Sequence, residues 1–179
     1  PVSINIAGRH LVCPEFLPFI KTQLTHYNID GKYIEIEITE SMLIEDIDTC
    51  VSILNELKSL NCSVSVDDFG TGYSSLSYLK ILPLDILKID RSFVAESDVK
   101  NEDAEICATI VNLAKSLKLT TIAEGIETES QLATLQKMGC DYYQGFYFHR
   151  PQSVADASKL LIQKDLTQYS EESVVNILY

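Results

Sequence analysis

The chain has 179 residues, of which 46% are apolar and 22% are charged, and its formal net charge is -12. This length suits one sizeable domain, and the composition argues against a disordered chain. The acidic charge argues against binding to long nucleic acid or to an anionic membrane, since both need clusters of Lys and Arg.

The sequence contains no stretch of about 18 apolar residues, so it predicts no membrane helix and no direct membrane contact by this segment. Its five cysteines are widely spaced and form no C-x-x-C pair, which is typical of reduced thiols in a cytoplasmic protein. The chain begins with Pro1 and enters a strand-like run almost at once. We therefore expect a fragment of a longer protein, which could be membrane-anchored elsewhere.

Short β-rich runs alternate with longer amphipathic runs from end to end. In chain order, the predicted strands cover residues 2–6, 33–39, 63–68, 86–90, 120–125 and 142–148. The predicted helices cover residues 14–27, 41–60, 74–82, 102–117, 130–138 and 153–166, and residues 170–179 could add a short terminal one. Thr128 and Gln131 form a capping box at the start of the fifth helix. The alternation predicts an α/β fold with parallel strands.

Each predicted strand carries a polar residue near its carboxyl end. Successive residues on a strand point to opposite faces, so Glu35 and Glu37 share one face of YIEIEIT and the isoleucines share the other. One such residue is more often part of a solvated strand face, but six in register favour a common site. In a β/α barrel, the carboxyl ends of the strands meet at one mouth. The expected set is Asn5, Glu37, Asp67, Asp68, Lys88, Glu124 and Gln144.

The carboxylates of this set would repel one another unless cations lie among them. Oxygen ligands of this kind suit Mg²⁺ or Mn²⁺ better than zinc, which usually binds His or Cys. The adjacent Asp67 and Asp68 could share two ions, with one carboxylate bridging both and its neighbour binding one. Such a two-metal site suits the hydrolysis of a phosphate ester.

Six motifs follow one another in the order of a known family: SIN at 3–5, EITES at 37–41, DDFGTGYSSLSYL at 67–79, LKIDRSF at 87–93, AEGIET at 123–128 and QGFYFHRP at 144–151. With them the chain resembles, over residues 1–152, the EAL domain of bacterial cyclic di-GMP phosphodiesterases. The resemblance implies a TIM-type β/α barrel that hydrolyses cyclic di-GMP to linear pGpG with Mg²⁺ or Mn²⁺. It also implies a homodimer.

Carried over position by position, the resemblance implies that Asn5, Glu37 and Asp67 bind one metal. Asp67 would bridge to a second metal, which Asp68 and Glu124 also bind. The implied catalytic residues are Lys88, which would hold and help activate the attacking water, together with Glu124 and Gln144. Glu40 would brace the loop 70–77. The further supporting positions are Gly70, Thr71, Gly72, Asp90 and Glu127.

The chain departs from the family pattern in two ways. Nothing in it matches the Glu-Ala-Leu motif, whose glutamate is a metal ligand in the family, and six strands cannot close an eight-stranded barrel. We therefore expect residues 1–179 to be the C-terminal three quarters of a single EAL domain, with C-terminal helices over 153–179, and to be weakly active or inactive alone. Ala7 and His10 stand where the family more often has Ser and Gln.

A second interpretation remains open. The chain could come from a catalytically inactive EAL domain that acts as a cyclic di-GMP receptor or contacts another protein. The residue at the missing Glu-Ala-Leu position would decide, because a non-acidic residue there favours the receptor. The intact ligand positions within the chain favour the enzyme.

Overall fold

The computed structural model of the chain describes residues 1–43, 47–71, 76–95 and 101–162. Within them lies a sheet of six parallel strands, which neighbour one another in chain order. The strands are β1 (Val2–Asn5), β2 (Ile34–Thr39), β3 (Ser63–Phe69), β4 (Ile86–Ile89), β5 (Thr120–Ala123) and β6 (Tyr142–Tyr143). The predicted parallel β/α fold is confirmed, and the sheet has the form of an incomplete TIM-type barrel.

Helices connect and follow the strands. They are α1 (Gly8–Leu11), α2 (Phe16–His26), α3 (Ile47–Ser59), α4 (Leu76–Ile81), α5 (Arg91–Val94), α6 (Asn101–Leu117), α7 (Glu129–Met138) and α8 (Val154–Ile162). The predicted helix over 41–60 starts later, since Glu40–Leu43 forms a 3-10 turn and α3 begins at Ile47. The sequence does not predict α1 and α5, because four residues are too few to show an apolar period. Residues 163–179, with the predicted terminal helix, lie outside the described part.

The side of the sheet that faces the helices is apolar. Its fully buried side chains from three central strands are Ile36, Ile38, Val64, Val66, Leu87 and Ile89. They belong to one core with residues of α3, α6 and α7. The burial of each of these side chains stabilises the fold by about 1.5–3 kcal/mol. A shift of the strand register by one residue would move this whole set to the opposite face. The core therefore also determines which residues point to the inner face of the sheet.

Four helix-to-strand connections use the same turn. Each has one residue with positive φ: Asn28 (50°), Asn61 (65°), Lys118 (59°) and Gly139 (77°). The N–H of the following residue then bonds to the carbonyl five positions earlier, for example from Cys62 to Leu57 at 3.1 Å and from Leu119 to Ala114 at 2.9 Å. This is the bond of a Schellman motif. It satisfies a carbonyl at the helix end and returns the chain towards the sheet.

The last strand is shorter than predicted. The sequence predicts a strand over 142–148, but β6 contains only Tyr142 and Tyr143, and the prediction is wrong beyond them. Residues 145–148 form a turn instead, which the Phe148 N–H closes by bonding to the Gly145 carbonyl at 3.1 Å, and the Tyr147 N–H bonds to the Ile126 carbonyl at 2.9 Å. Gly145 lies against the same backbone, where a Cβ would be 2.2 Å from the Ile126 oxygen.

The sheet is open within the described ranges, where β1 and β6 each pair with one neighbour. All four residues of β1 are exposed. None of the helices in the same ranges combines the length and the apolar composition that a membrane-spanning helix needs.

Candidate active site

A buried lysine lies at the carboxyl end of the central strands. Lys88 of β4 is 3% exposed, and its Nζ lies 2.7 Å from Glu37 Oε1 of β2. The same atom lies 2.5 Å from Oε1 of Glu124, which directly follows β5, and 3.9 Å from Oδ1 of Asp67 in β3. Three carboxylates from three strands or strand ends therefore surround one ammonium group.

Strand register brings these side chains to one face. Glu37 pairs with Ser65, and Lys88 pairs with Ile122. Asp67 lies two residues after Ser65, and Glu124 lies two residues after Ile122. Side chains two residues apart on a strand share a face. The Glu124 N–H also bonds to the Ile89 carbonyl at 3.1 Å, which continues the pairing of β4 and β5 past the end of β5.

Burial and the charges of neighbouring groups both shift the pKa values of this cluster. Burial raises the pKa of Glu124 above its ordinary value, and the attraction of Lys88 only partly offsets it. For Lys88, burial acts to lower the pKa, but Glu124 and Glu37 outweigh it and the pKa is raised. One ammonium cannot neutralise three carboxylates, so the cluster favours further positive charge.

A bulge in β3 presents both aspartates of the pair. Between Val66 and Phe69 the register with β4 shifts, so that Asp67 and Asp68 lie opposite the single residue Lys88. Asp68 has a positive φ of 53°, which is uncommon outside glycine and is tolerated best by Asp and Asn. Bulges of this kind are frequent beside active sites, where they redirect a side chain.

Asp68 faces a second carboxyl group, that of Asp90. Partial burial raises the pKa of Asp68, and so do the neighbouring charges of Asp67 and Asp90 and a hydrogen bond with the Asp90 side chain. The pKa of Asp90 is lowered. Burial would raise it, but hydrogen bonds from the hydroxyl and N–H of Ser92 outweigh burial.

Glu40 holds the backbone that follows the two aspartates. Its side chain is 7% exposed, and Oε2 accepts a hydrogen bond from the Gly70 N–H at 3.2 Å. Thr71 also contacts this segment, since its hydroxyl donates a hydrogen bond to the Asp68 carbonyl at 2.8 Å. Gly72, the remaining predicted loop residue, lies outside the described residues.

Three predicted residues are not joined to the cluster by a side-chain hydrogen bond in the described ranges. Asn5 pairs with Glu37 and so shares its face, but it is exposed on the edge strand β1. Gln144 directly follows β6 and is exposed. Glu127 is exposed and donates its N–H to Gln131 Oε1 at 2.8 Å. In the described part of the chain, no side-chain hydrogen bond joins these three to Lys88 or its carboxylates.

Two residues that were not among the predicted site residues contact the supporting groups. Ser92 binds the Asp90 carboxylate, and the buried Gln131 donates from Nε2 to the Ala95 carbonyl at 2.9 Å. The spacing D-x-S at 90–92 is a helix-start signal that could have identified Ser92. The contact of Gln131 with Ala95 spans 36 residues and leaves no local signal.

Comparison with known proteins identifies the family. The sequence profile described as "EAL domain" matches residues 1–151. The chain belongs to the EAL domain family. The cyclic di-GMP phosphodiesterase NbdA of Pseudomonas aeruginosa is 39% identical to this EAL chain over 160 residues, which are 89% of the chain and 20% of NbdA. The chain spans about one fifth of the length of these curated relatives.

Solved EAL structures share the fold of the chain. The EAL domain of Mycobacterium smegmatis DcpA is 39% identical, with a TM-score of 0.85 and coverage of 89% of this chain and 72% of that one. The PaMucR phosphodiesterase in complex with c-di-GMP is 37% identical, with a TM-score of 0.83 and coverage of 87% and 63%. These scores agree with the predicted TIM-type architecture.

The residues of this EAL chain fit divalent cations by their chemistry. Carboxylate and amide oxygens are the ligands that Mg²⁺ and Mn²⁺ prefer. The described residues do not, however, include three acidic, His or Cys side chains placed to hold one ion together, and the Lys88 ammonium lies among the carboxylates. The donor atoms are therefore suitable, while their arrangement is that of three carboxylates grouped around the Lys88 ammonium.

Proposed function

We propose that this EAL domain hydrolyses cyclic di-GMP to linear pGpG in a reaction that needs Mg²⁺ or Mn²⁺. The observation that supports this best is the convergence of Glu37, Asp67 and Glu124 around Lys88 at the carboxyl end of the sheet. Relatives named as cyclic di-GMP phosphodiesterases support the substrate. The product and the need for metal rest on the chemistry of the residues and on the family.

The proposed ion ligands are the oxygen donors at this end of the sheet: Asn5, Glu37, Asp67, Asp68 and Glu124. When bound, divalent ions would polarise a phosphoryl oxygen and lower the pKa of the attacking water. The bulge at Asp67 and Asp68 favours this assignment, because it places two adjacent aspartates opposite the single residue Lys88.

Lys88 is proposed to position the attacking water. An ammonium group has three N–H donors, and two of them are directed at Glu37 and Glu124. The third can donate to the attacking water or to a phosphoryl oxygen. Buried carboxylates hold the ammonium in place, so its charge is oriented before substrate binds. Gln144 would donate to the same water from the end of β6.

The decisive experiment is to incubate the protein with cyclic di-GMP and Mn²⁺ and to follow pGpG by liquid chromatography. It should use the longer protein that contains this chain, because residues 1–179 are expected to be weakly active or inactive alone. We expect turnover that stops on chelation and that is abolished by Asp67→Ala. Asp48→Ala, which removes an exposed carboxylate on α3, is the matched control and should leave turnover unchanged. Normal turnover by Asp67→Ala would refute the assignment.

Binding without cleavage is the second candidate function. The position of Lys88 among the carboxylates favours it, because a fixed ammonium can take the place of a cation. Equilibrium dialysis with labelled cyclic di-GMP distinguishes the two candidates. Bound but intact ligand in the presence of Mn²⁺ would identify a receptor, whereas pGpG would identify an enzyme.

We also propose a homodimer whose association depends on the segment after Asp68. Glu40 supports the proposal through its hydrogen bond to Gly70. Glu40→Ala is expected to weaken both Mg²⁺ affinity and dimerisation, as measured by calorimetry and sedimentation. If Glu40→Ala changes neither Mg²⁺ affinity nor dimerisation, the proposal is refuted.

A further inference from the structure

Gln131 of α7 uses both ends of its side-chain amide inside the protein. It is 5% exposed, and its Oε1 accepts hydrogen bonds from the N–H groups of Glu127 at 2.8 Å and Thr128 at 3.0 Å. Its Nε2 donates to the Ala95 carbonyl at 2.9 Å. The bond to Thr128 belongs to the capping box of α7, which a glutamate at this position would complete equally well. Capping does not account for the bonds to Glu127 and Ala95.

These bonds join the two segments that follow the Lys88–Glu124 ion pair. Ala95 ends α5, the helix that follows β4 and its Lys88. Glu127 lies in the segment that directly follows Glu124 at the end of β5. Lys88 Nζ lies 2.5 Å from Glu124 Oε1. The two segments therefore meet at this ion pair, and Gln131 connects them at a second point.

The backbone between Glu124 and Glu127 lies directly against β4 and α5. The Glu124 N–H bonds to the Ile89 carbonyl at 3.1 Å. Gly125 has a φ of 72°, and a Cβ there would be 2.4 Å from the Cβ of Arg91 in α5. Because the packing is this close, a change in the distance between α5 and this segment would also move Glu124.

We infer that Gln131 is a positioning residue that holds Glu124 in contact with Lys88. The inference rests on the proposed function, because there Glu124 helps to orient the ammonium that positions the attacking water. Without the Nε2 donor, the Ala95 carbonyl loses this hydrogen bond, and α5 can separate from the segment after Glu124. The ammonium then keeps Glu37 as a partner but no longer has a fixed distance to Glu124.

Gln131→Glu separates this role from helix capping. The carboxylate still accepts from the N–H groups of Glu127 and Thr128, so the capping box remains. It replaces the Nε2 donor by an oxygen that faces the Ala95 carbonyl, and two acceptors form no hydrogen bond. Gln131→Met is the second variant, because it removes the same donor without placing a charge in a buried position.

Thr128→Ala is the matched control. The Thr128 hydroxyl accepts from the Gln131 N–H at 3.2 Å and forms the other half of the capping box. The variant therefore weakens the start of α7 but leaves the Gln131 side chain bonded to Ala95. All variants are compared in the longer protein that contains this chain, at a temperature at which circular dichroism shows each of them to be folded.

The first measurement is the rate at which acetic anhydride acetylates Lys88 in a chelator, followed by mass spectrometry. The reagent attacks the neutral amine, and contact with carboxylates favours the ammonium instead. Lys88 should be acetylated severalfold faster in both Gln131 variants than in the unaltered protein. Glu124→Gln, which removes the charge itself, gives the full effect. In Thr128→Ala the rate should be unchanged.

The second measurement is the cleavage of cyclic di-GMP with Mn²⁺. We expect kcat to fall about tenfold in Gln131→Glu, as for other groups that orient a reacting side chain from behind. KM should change little, since the Lys88–Glu124 pair acts on the attacking water rather than on substrate binding. Thr128→Ala should unfold at a lower temperature and keep its kcat. If both Gln131 variants keep the kcat and the Lys88 acetylation rate of the unaltered protein, Gln131 is a helix cap alone and the inference is overturned.

Failure of the proposed function would give a different result. Faster acetylation of Lys88 in the Gln131 variants, with no cleavage of cyclic di-GMP by the unaltered protein, would overturn the hydrolase and support the contact that Gln131 holds. In a protein that does cleave, a lower kcat without faster acetylation would overturn the inference, because Gln131 would then act on another part of the site. Faster acetylation with a normal kcat would overturn its role in the reaction.

Discussion

At the scale of single residues, Lys88 determines the charge balance of the site. It is buried, and its neighbours Glu37 and Glu124 are largely buried too. Removing one partner of such a pair leaves uncompensated charge away from water, which costs far more than the loss of an exposed pair. The cluster therefore contributes to folding as well as to the proposed chemistry.

Lys88→Met is expected to destabilise the chain by about 3 kcal/mol in metal-free buffer, because Glu37 and Glu124 would then face each other without a cation. Urea unfolding in a chelator measures the loss. Adding Mn²⁺ should recover part of it, since an ion can take the position of the ammonium.

The control for this prediction is Lys21→Met. Lys21 Nζ lies 2.7 Å from Glu56 Oε2, but both side chains are about half exposed. Lys21→Met should lower the free energy of unfolding by less than about 1 kcal/mol. Equal losses in the two variants would contradict the view that burial makes the Lys88 cluster important for stability.

At the scale of elements, the helix endings are the recurrent feature. All four use a residue with positive φ, yet only one of those residues is glycine. A side chain at such a φ costs about 1–2 kcal/mol, and Asn bears it better than Lys. Lys118 is therefore the least suited of the four.

Lys118→Gly is expected to stabilise the chain by about 0.5–1 kcal/mol, because the relief of strain exceeds the extra backbone entropy of glycine in the unfolded state. The midpoint of thermal unfolding measures it. Lys137→Gly, in the last turn of α7, makes the same chemical change at an ordinary helical position and should destabilise by about 1 kcal/mol. A loss of stability in both variants would contradict the prediction.

Gly145→Ala is expected to destabilise the chain by about 3 kcal/mol, because the new Cβ would meet the backbone of Ile126 and force the turn after β6 to move. Denaturant unfolding checks the change. Gly8→Ala is the control, since its nearest neighbour is the flexible side chain of Met42 at 3.1 Å. A difference of less than about 1 kcal/mol between the two would show that the turn adapts, because overpacking that cannot relax costs more.

Much of the fold could be predicted from the sequence because its strands and helices have strong periods. Alternation in YIEIEIT gives the face of Glu37, and the same rule places Asp67, Lys88 and Glu124 beside it. Periodicity contains no information on non-local contacts. It therefore misses the central position of Lys88 among the carboxylates and the end of β6 at Tyr143. The bulge at Asp68 breaks the alternation on which the prediction depends.

At the scale of the whole molecule, β1 is an exposed edge of the sheet in the part of the chain that the structure describes. The edge strand β1 is exposed along its length, with Val2 63% and Ile4 36% accessible on the side that elsewhere packs against helices. An exposed apolar edge strand offers unpaired backbone groups to another chain. We therefore expect residues 1–179 to self-associate at high concentration.

Ile4→Lys is expected to reduce this association, because a charged side chain on an edge strand opposes pairing with a second edge. Sedimentation velocity over a range of concentrations measures the effect. Phe19→Lys replaces an exposed apolar residue on α2 (58% accessible) and is the control. If both variants reduce association equally, general charge rather than the open edge is responsible.

The positive-φ turns lie where strands begin, and the carboxylates lie where strands end. A four-residue strand separates the two by roughly 13 Å, at about 3.3 Å per residue. Substitutions at the turns can therefore change the thermal stability of the chain without altering the carboxylates at the other end of the sheet. β/α barrels commonly separate the residues for stability from those for activity in this way.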